Sequence, residues 1–177
     1  MKDKIYEHML SRGFIPGTPG VYWSEEDETV DFLLWNPHGF LIGYQRYRPG
    51  ADKKAVGREA RYFTRKTHVN SCSLPTVWGL HTFLPSTKRL FIVEGIWDAI
   101  SLHRAGESAI AVLSSGASQS VHEWLSLLPV ERIAILDNDG KSGGLRRLAH
   151  RHFVVPDPYK DLNEMRSDDI VNFLKCI

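Results

Sequence analysis

The chain has 177 residues, a formal net charge of +1 and 42% hydrophobic residues, a composition typical of a soluble globular protein with one domain, or one domain and a small companion. No apolar run approaches the roughly 18 residues of a membrane span, and the N-terminus lacks the apolar stretch of a signal peptide. Cys72 and Cys176 are the only cysteines, too few for a disulfide framework or a four-thiolate zinc site. We therefore expect a cytoplasmic protein with no zinc and no membrane partner.

The N-terminal part of the chain predicts one short helix and an antiparallel meander. Apolar residues at helical spacing indicate a helix over residues 3–12, with Gly13 as its end. Segments over 21–23, 30–35 and 40–47, separated by turn sequences, indicate strands that pair as neighbours. Aromatic side chains in these strands suit either base stacking or cross-strand packing, and we favour packing for most of them. They are Trp23, Trp35, Tyr44 and Tyr47.

Residues 46–66 form a locally basic segment with interleaved aromatic residues in a nearly neutral protein. One interpretation is contact with nucleic acid or nucleotide, because cations follow the phosphates while aromatic rings stack on bases. The other is a solvated surface loop. We favour the first, and its candidate nucleic-acid-binding residues are Arg46, Arg48, Lys53, Lys54, Arg58, Arg61, Arg65 and Lys66.

From about residue 86 onwards strands and helices alternate, and this alternation predicts a parallel sheet with right-handed crossovers. We therefore divide the chain into a small basic α+β subdomain, residues 1–85, and an α/β domain, residues 86–177. The predicted strands cover 89–93, 109–113, 132–136 and 152–155. The predicted helices cover 96–105, 119–128 and 144–150, and a last helix has Ser167 as its cap.

Carboxylates follow two of these buried strands directly. Glu94 follows the first strand, and Asp137 and Asp139 follow the third. The carboxyl ends of parallel strands meet at one edge of a sheet, where α/β proteins bind their ligands. Asp137 and Asp139 are two residues apart on extended backbone and point to the same side, so a hard cation such as Mg²⁺ would offset their repulsion. Taken singly, the motif at 137–140 is also explained as a turn sequence, and Glu94 as a carboxylate favoured at the start of a helix. These explanations account less well for the presence of both motifs.

Four motifs, in this order, resemble the Toprim domain, most closely that of bacterial and phage DNA primases. They span about residues 86–165, a little under half of the chain. The motifs are Val93-Glu94-Gly95 through Asp98-Ala99, Leu113-Ser114-Ser115-Gly116-Ala117, Asp137-Asn138-Asp139, and Lys160-Asp161-Leu162-Asn163-Glu164. The resemblance implies a Toprim-like open sheet of about four mainly parallel strands flanked by helices. One departure is the segment 140–144, which is about one residue longer than the turn common in the family.

The resemblance also implies roles for individual residues. Mg²⁺ or Mn²⁺ would be held by Glu94, Asp137 and Asp139, with Glu94 alternatively an acid or base. Asp161 would be a further acidic contributor and Lys160 would neutralise a phosphate, which completes the expected catalytic set. Phosphate or nucleotide contacts are expected from Gly95, Asp98, Ser115 and Gly116. Lys141 lies in the segment that departs from the family, and it is either a further phosphate contact or part of a mobile loop.

The activity that this resemblance implies is synthesis of short RNA primers on single-stranded DNA from ribonucleotides. A helicase or a separate template-recognition protein is a candidate further partner, and we expect a phage or mobile-element origin. Two alternatives remain open: a nucleic-acid-binding accessory or regulatory protein without polymerase activity, and a Toprim nuclease. Because the sequence contains no zinc-binding module, we expect primer synthesis by this chain alone to show little preference for a start sequence.

Overall fold

Two four-stranded sheets form the framework of the protein. In this computed structural model, the residues that the structure describes are 3–52, 54–67, 75–114, 117–140 and 142–177. The first sheet is antiparallel and the second is parallel. The predicted α/β class, with an antiparallel meander before a parallel sheet, is confirmed.

The antiparallel sheet follows a single helix and has its strands in chain order. Its elements are α1 (Lys4–Ser11), β1 (Val21–Ser24), β2 (Thr29–Trp35), β3 (Leu41–Tyr47) and β4 (Tyr62–Lys66). The first three strands were predicted, but β4 was not, because its residues lack the alternation of apolar and polar side chains. Pairing with β3 along its whole length places this part of the basic segment in the sheet.

The parallel sheet has the order β6-β5-β7-β8, and every neighbouring pair is parallel. Its elements are β5 (Arg89–Val93), α2 (Ile96–Arg104), β6 (Ala109–Ala111), α3 (Gln119–Ser126), β7 (Glu131–Leu136), β8 (Arg151–Val154) and α4 (Ser167–Lys175). The central strands β5 and β7 are buried over nearly all their residues, as expected of a parallel sheet covered on both faces.

Most element boundaries differ from the sequence prediction by one or two residues, and three differences follow from particular residues. The segment predicted as a helix over 144–150 is a 3-10 helix over Ser142–Leu148, since its adjacent glycines disfavour the α conformation. Strand β6 ends at Ala111 because Leu113 has left-handed backbone, with φ of 66°. Ser167 is the first residue of α4 rather than its cap; Arg166 holds the cap position and its side chain makes no capping bond.

Two hydrophobic clusters cover the two faces of the parallel sheet. Alternate residues of β5 point to opposite clusters, with Phe91 and Val93 in one and Leu90 and Ile92 in the other, which is the period of two that extended backbone dictates. The first cluster also contains residues of the antiparallel sheet; Phe32 meets Trp97 edge to face with ring centroids 5.5 Å apart. The two sheets therefore share a core, and the division at residue 85 stays a prediction. None of the helices described is long and apolar enough to cross a membrane.

Candidate active site at the carboxyl ends of the parallel strands

A cleft of about 270 Å³ lies where the carboxyl ends of the parallel strands face the antiparallel sheet. Its acidic wall comes from the turn after β5, from the end of β7 and from the segment after β8. The opposite wall comes from α1, β3 and β4. The lining residues are Arg12, Gln45, Tyr62, Glu94, Gly95, Ile96, Trp97, Asp98, Leu113, Asp137 and Asp161.

The turn after β5 brings two carboxylates into the cleft. Gly95 caps α2 in extended backbone, and a Cβ atom there would lie 2.7 Å from Asp98 Oδ2, so a side chain would force Asp98 away. Partial burial, and after it the charge of Asp139, raises the pKa of Glu94. Glu94 and the aspartates after β7 are therefore close enough to repel one another, as the sequence motifs suggested.

Asp98 is the most deeply buried carboxyl group of the cleft, with 8% of its surface exposed. Its Oδ1 accepts a hydrogen bond of 3.2 Å from the Asn163 backbone N–H. Burial, followed by the charges of Asp161 and Asp137, raises the pKa of Asp98 to about 8. A group of this kind is ionised at neutral pH only when a cation or additional donors compensate for its desolvation.

Asp137 stands at the centre of the acidic wall. Burial raises its pKa to about 6, with further contributions from Asp161, Glu94 and Asp139 and an opposing one from Lys160. Hydrogen bonds to the segment after β8 fix the turn that follows Asp137. The Asn138 backbone N–H donates to the Lys160 carbonyl (2.7 Å), and Asn138 Nδ2 donates to Asp157 Oδ1 (2.8 Å).

Asp161 has a structural role in addition to its place in the cleft. It caps the short 3-10 helix Leu162–Glu164, where its Oδ1 accepts the Glu164 backbone N–H at 3.0 Å. The Lys160 backbone N–H in turn donates to Glu164 Oε2 at 2.9 Å. These bonds hold the segment after β8 against the cleft, so that the charge of Asp161 acts on both Asp98 and Asp137.

Arg12, at the end of α1, is the one cation among the described residues that line the cleft, and no sequence motif pointed to it. Its Nε donates to Asn163 Oδ1 at 2.8 Å, and its Nη1 lies 3.2 Å from the hydroxyl oxygens of Tyr47 and Tyr62. The guanidinium group also lies over the Trp97 ring, 4.5 Å from its centroid. A single arginine after a short helix carries no local signal of such a role.

The described basic residues of segment 46–66 lie on both faces of the β3–β4 hairpin and in the connection between its two strands. Directly paired residues share a face, so Arg46 and Arg65 lie on the face opposite Tyr47 and Tyr62. The charge of Arg46 is already met by Asp31, since two hydrogen bonds of 2.6 Å join them. Lys66 lies on the same face as Tyr62, whereas Arg48, Lys54, Arg58 and Arg61 belong to the connection between the strands.

Two arginines of this connection carry unmet donors. Arg48 Nη1 and Arg61 Nε are shielded from solvent and have no hydrogen-bond partner among the described residues, and the two residues are joined by a backbone bond of 2.9 Å. Burial, followed by the charges of Arg12 and Arg61, lowers the pKa of His8. Positive charge therefore extends from the cleft towards the connection between β3 and β4.

Four of the predicted site residues lie outside the described residues. Ser115, Gly116 and Lys141 were expected to contact phosphate, and Lys53 was expected to contact nucleic acid. Their roles stay predictions.

The donor set of the cleft fits a hard divalent cation. The side chains of Glu94, Asp98, Asp137 and Asp161 offer only carboxylate oxygens, and their mutual repulsion is the kind that a cation relieves. Within the part of the chain that the structure describes, no three acidic, histidine or cysteine side chains are grouped closely enough to ligate one ion. An ion held by one or two carboxylates and completed by water and phosphate oxygens, as is usual for Mg²⁺, needs no such group.

No protein-family model and no curated protein sequence matches the chain. Solved primase structures do match its fold. The Aquifex aeolicus primase, with its zinc-binding and RNA polymerase domains, superposes with a TM-score of 0.65 and 19% identity over 97% of this chain and 45% of that one. The RNA polymerase domain of Mycobacterium tuberculosis primase DnaG, in complex with a double-stranded DNA oligomer carrying a 6-nucleotide overhang, gives a TM-score of 0.63 and 17% identity over 97% and 60%.

The primase fragment of the bacteriophage T7 primase-helicase protein is similar as well, with a TM-score of 0.59 and 13% identity over 83% of this chain and 61% of that one. The chain spans about half the length of the primases that it resembles. At these identities the likeness establishes the fold, which is that of the primase RNA polymerase core.

Proposed function

We propose that the protein catalyses metal-dependent nucleotidyl transfer of the primase type, joining ribonucleotides into short RNA primers on single-stranded DNA. The observation that carries this proposal is the cleft in which Glu94, Asp98, Asp137 and Asp161 converge opposite Arg12. Carboxylates at the strand ends of this fold are suited to phosphoryl transfer because that reaction depends on positioning and charge compensation.

Each wall of the cleft has a distinct task in this proposal. Mg²⁺ or Mn²⁺ would be held by one or two carboxylates of the set Glu94, Asp137 and Asp139; when bound, it would offset the charge of the phosphate oxygens and lower the pKa of the attacking hydroxyl. Where Asp137 and Asp139 hold the ion, Glu94, whose pKa is raised by burial and by Asp139, would accept the proton of that hydroxyl. Lys160, whose charge acts on Asp137, would neutralise a phosphate.

The opposite wall of the cleft is suited to binding the nucleotide and the template. The Tyr62 ring stacks on Tyr47 with centroids 5.0 Å apart, and 44% of Tyr62 is exposed, so a base has an aromatic surface beside the carboxylates. The positive charges of Arg48 and Arg61, which are partly exposed, would attract phosphates of the strand that enters the cleft. These contacts would bind the phosphate backbone and stack on bases, and they would discriminate little between base edges.

The test is primer synthesis by the purified chain on single-stranded DNA, with labelled ribonucleotides and Mg²⁺ or Mn²⁺, run beside a nuclease assay under the same conditions. Asp137→Asn should reduce product by at least about 100-fold, the usual scale for loss of an electrostatic catalytic group. Asp168→Asn, an exposed carboxyl change in the first turn of α4, is the matched control and should retain full activity.

The assay also separates the alternatives. Metal-dependent cleavage that Asp137→Asn abolishes, without synthesis, would replace the polymerase proposal by a nuclease. DNA binding with neither activity under any metal would assign the protein to an accessory or regulatory role.

A further inference from the structure

A groove of about 500 Å³ shares none of its described lining residues with the cleft. It lies between the end of β2 with the turn that follows, the segment around residue 80, and the end of α3. This volume is in the range of small-ligand sites, roughly 300–1,000 Å³. The lining residues are Pro19, Leu33, Trp35, Asn36, Pro37, Gly39, Trp78, Gly79, Leu80, His81, Phe83, Trp124 and Leu128; we refer to this cavity as the tryptophan groove.

The described residues that line the tryptophan groove include three tryptophans and a phenylalanine, and none of them is acidic, a lysine or an arginine. Trp35 and Trp124 border it from opposite elements, and 38% of Trp35 is exposed. Burial lowers the pKa of His81, so its imidazole is neutral at physiological pH. A lining without charge, rich in flat rings, complements a neutral planar group.

Hydrogen-bonding atoms in the groove are available to such a group. Asn36 Oδ1 accepts the backbone N–H groups of His38 and Phe40, both at 3.0 Å, which fixes the amide so that Nδ2 is left as a donor. No protein partner for Asn36 Nδ2 or for the His81 ring nitrogens occurs among the residues that the structure describes. A heteroaromatic ring with its own donors and acceptors can use these atoms, whereas a hydrocarbon ligand cannot.

The floor of the groove is held rigidly in place. Trp78 is 2% exposed and stacks on His103 with ring centroids 5.4 Å apart. His103 Nε2 donates to the Ala109 carbonyl at 2.9 Å, which fixes its tautomer. A Cβ atom at Gly79 would lie 2.4 Å from that same carbonyl oxygen, so only glycine lets the chain run this close to β6. The groove is therefore preformed and needs little reorganisation to bind.

Positive charge lies close to the groove along the antiparallel sheet. Arg65 pairs with Tyr44, and Tyr44 pairs with Leu33, which lines the groove, so these side chains share one face of the sheet. Two strand spacings, about 10 Å, separate β4 from the strand that borders the groove. Arg65 is exposed and makes no ion pair with the residues described. The pairing of a neutral aromatic groove with nearby cations matches a nucleotide in a strand, whose base is neutral and whose phosphate is anionic.

We propose that the tryptophan groove is a second nucleic-acid site, which binds an unpaired base of the single-stranded DNA outside the cleft by stacking it on Trp35 and Trp124. This proposal rests on the proposed function, since it assumes that single-stranded DNA is the template. A base held here anchors the strand at a distance from the chemistry, so that the template stays bound while the cleft exchanges nucleotides.

The test compares two oligonucleotides with the same phosphates, one with normal bases and one with abasic sites throughout, by fluorescence polarisation. Trp35→Ala should weaken binding of the normal oligonucleotide by about 5–150-fold, the range of one base stacked on an aromatic side chain, and leave binding of the abasic one unchanged. Trp35→Phe should restore most of the affinity, because it keeps a stacking surface. Tyr22→Ala, which removes a ring with 61% exposure that does not line the groove, is the matched control and should bind both like the parent.

Parent-like binding of the normal oligonucleotide by Trp35→Ala would overturn the groove proposal and leave the cleft untouched. An equal loss on both oligonucleotides would overturn it as well, because the groove would then act through backbone contacts or general folding. Primer synthesis that persists in Trp35→Ala while template affinity falls would separate the groove from the proposed catalytic role. Loss of synthesis in Asp137→Asn with unchanged base-dependent binding would show that the two sites act independently.

Discussion

Replacing Arg12 by alanine should destabilise the protein more than any other single arginine substitution at a comparable exposure. The substitution removes the 2.8 Å bond to Asn163, two bonds of 3.2 Å to the tyrosine hydroxyls, and the contact over Trp97. The Asn163 bond contributes about 1.5–2 kcal/mol, the two longer bonds together about 1 kcal/mol, and the ring contact about 1 kcal/mol.

The sum for Arg12→Ala is a loss of about 3.5–4 kcal/mol in the free energy of unfolding, which corresponds to roughly 7–16 °C in Tm for a chain of this length. Arg12→Lys keeps the charge but loses the planar fork, and it should give about half of that loss. The measurement is urea unfolding followed by tryptophan fluorescence, with unchanged m-value as the sign that the unfolded state is the same.

Arg147→Ala is the matched control, since Arg147 is exposed and has no hydrogen bond or ion pair with the residues described. It should unfold within about 0.5 kcal/mol of the parent, as surface substitutions usually do. If Arg12→Ala also unfolds within about 1 kcal/mol of the parent, then the contacts of Arg12 do not join α1 to the cleft, and the reasoning fails.

Four further outcomes are expected. Calorimetry should show Mg²⁺ or Mn²⁺ binding that disappears in Asp137→Ala/Asp139→Ala; unchanged binding in that variant would reject the metal assignment. Arg61→Ala should weaken single-stranded DNA binding and reduce the log–log salt slope by roughly 0.7, and an equal slope would make the connection between β3 and β4 a solvated loop. The pKa of His103 is about 4 in the folded protein and 6.5 in the unfolded chain. The stability that neutral His103 contributes should therefore be fully present above pH 6.5, and the free energy of unfolding should fall by up to about 3 kcal/mol as the pH drops to 4. His103→Gln should remove this pH dependence, and a fall equal to that of the parent would refute the role of His103. On mixed-sequence templates, any primers made by the purified chain should start with weak sequence preference; sharp initiation at one motif would mean that the N-terminal part reads bases.

The acidic wall of the cleft was predictable because its information is local. A buried strand that ends on Glu94 and another that ends on Asp137 are visible as apolar runs followed by carboxylates, and the parallel order brings them to one edge. Asp98 was identified by its motif, but its burial and raised pKa depend on Asp161 and Asp137, which are distant in the chain.

The opposite wall was not predictable, since it depends on how the two sheets pack. Arg12 reaches the cleft only through contacts with residues 35 to 151 positions away, and no local pattern records them. Strand β4 lacks an alternation of apolar and polar residues, and its pairing with β3 makes it a strand. The tryptophan groove likewise combines residues of β2, α3 and the segment around residue 80, which are distant in the chain. The sequence analysis favoured packing for most aromatic residues of the meander, but Trp35 is partly exposed and lines this groove.

Formation of the first phosphodiester bond tests the central claim most directly. The measurement is the rate of dinucleotide synthesis from two ribonucleotides on single-stranded DNA in the presence of Mg²⁺ or Mn²⁺, comparing the parent, Glu94→Gln and the Asp168→Asn control. Glu94→Gln keeps the size of the side chain and removes its charge and basicity. If the cleft performs nucleotidyl transfer, the parent and the control form dinucleotide only with metal, and Glu94→Gln is slower by about 100–10,000-fold. Dinucleotide formation by Glu94→Gln at the parental rate would contradict the account.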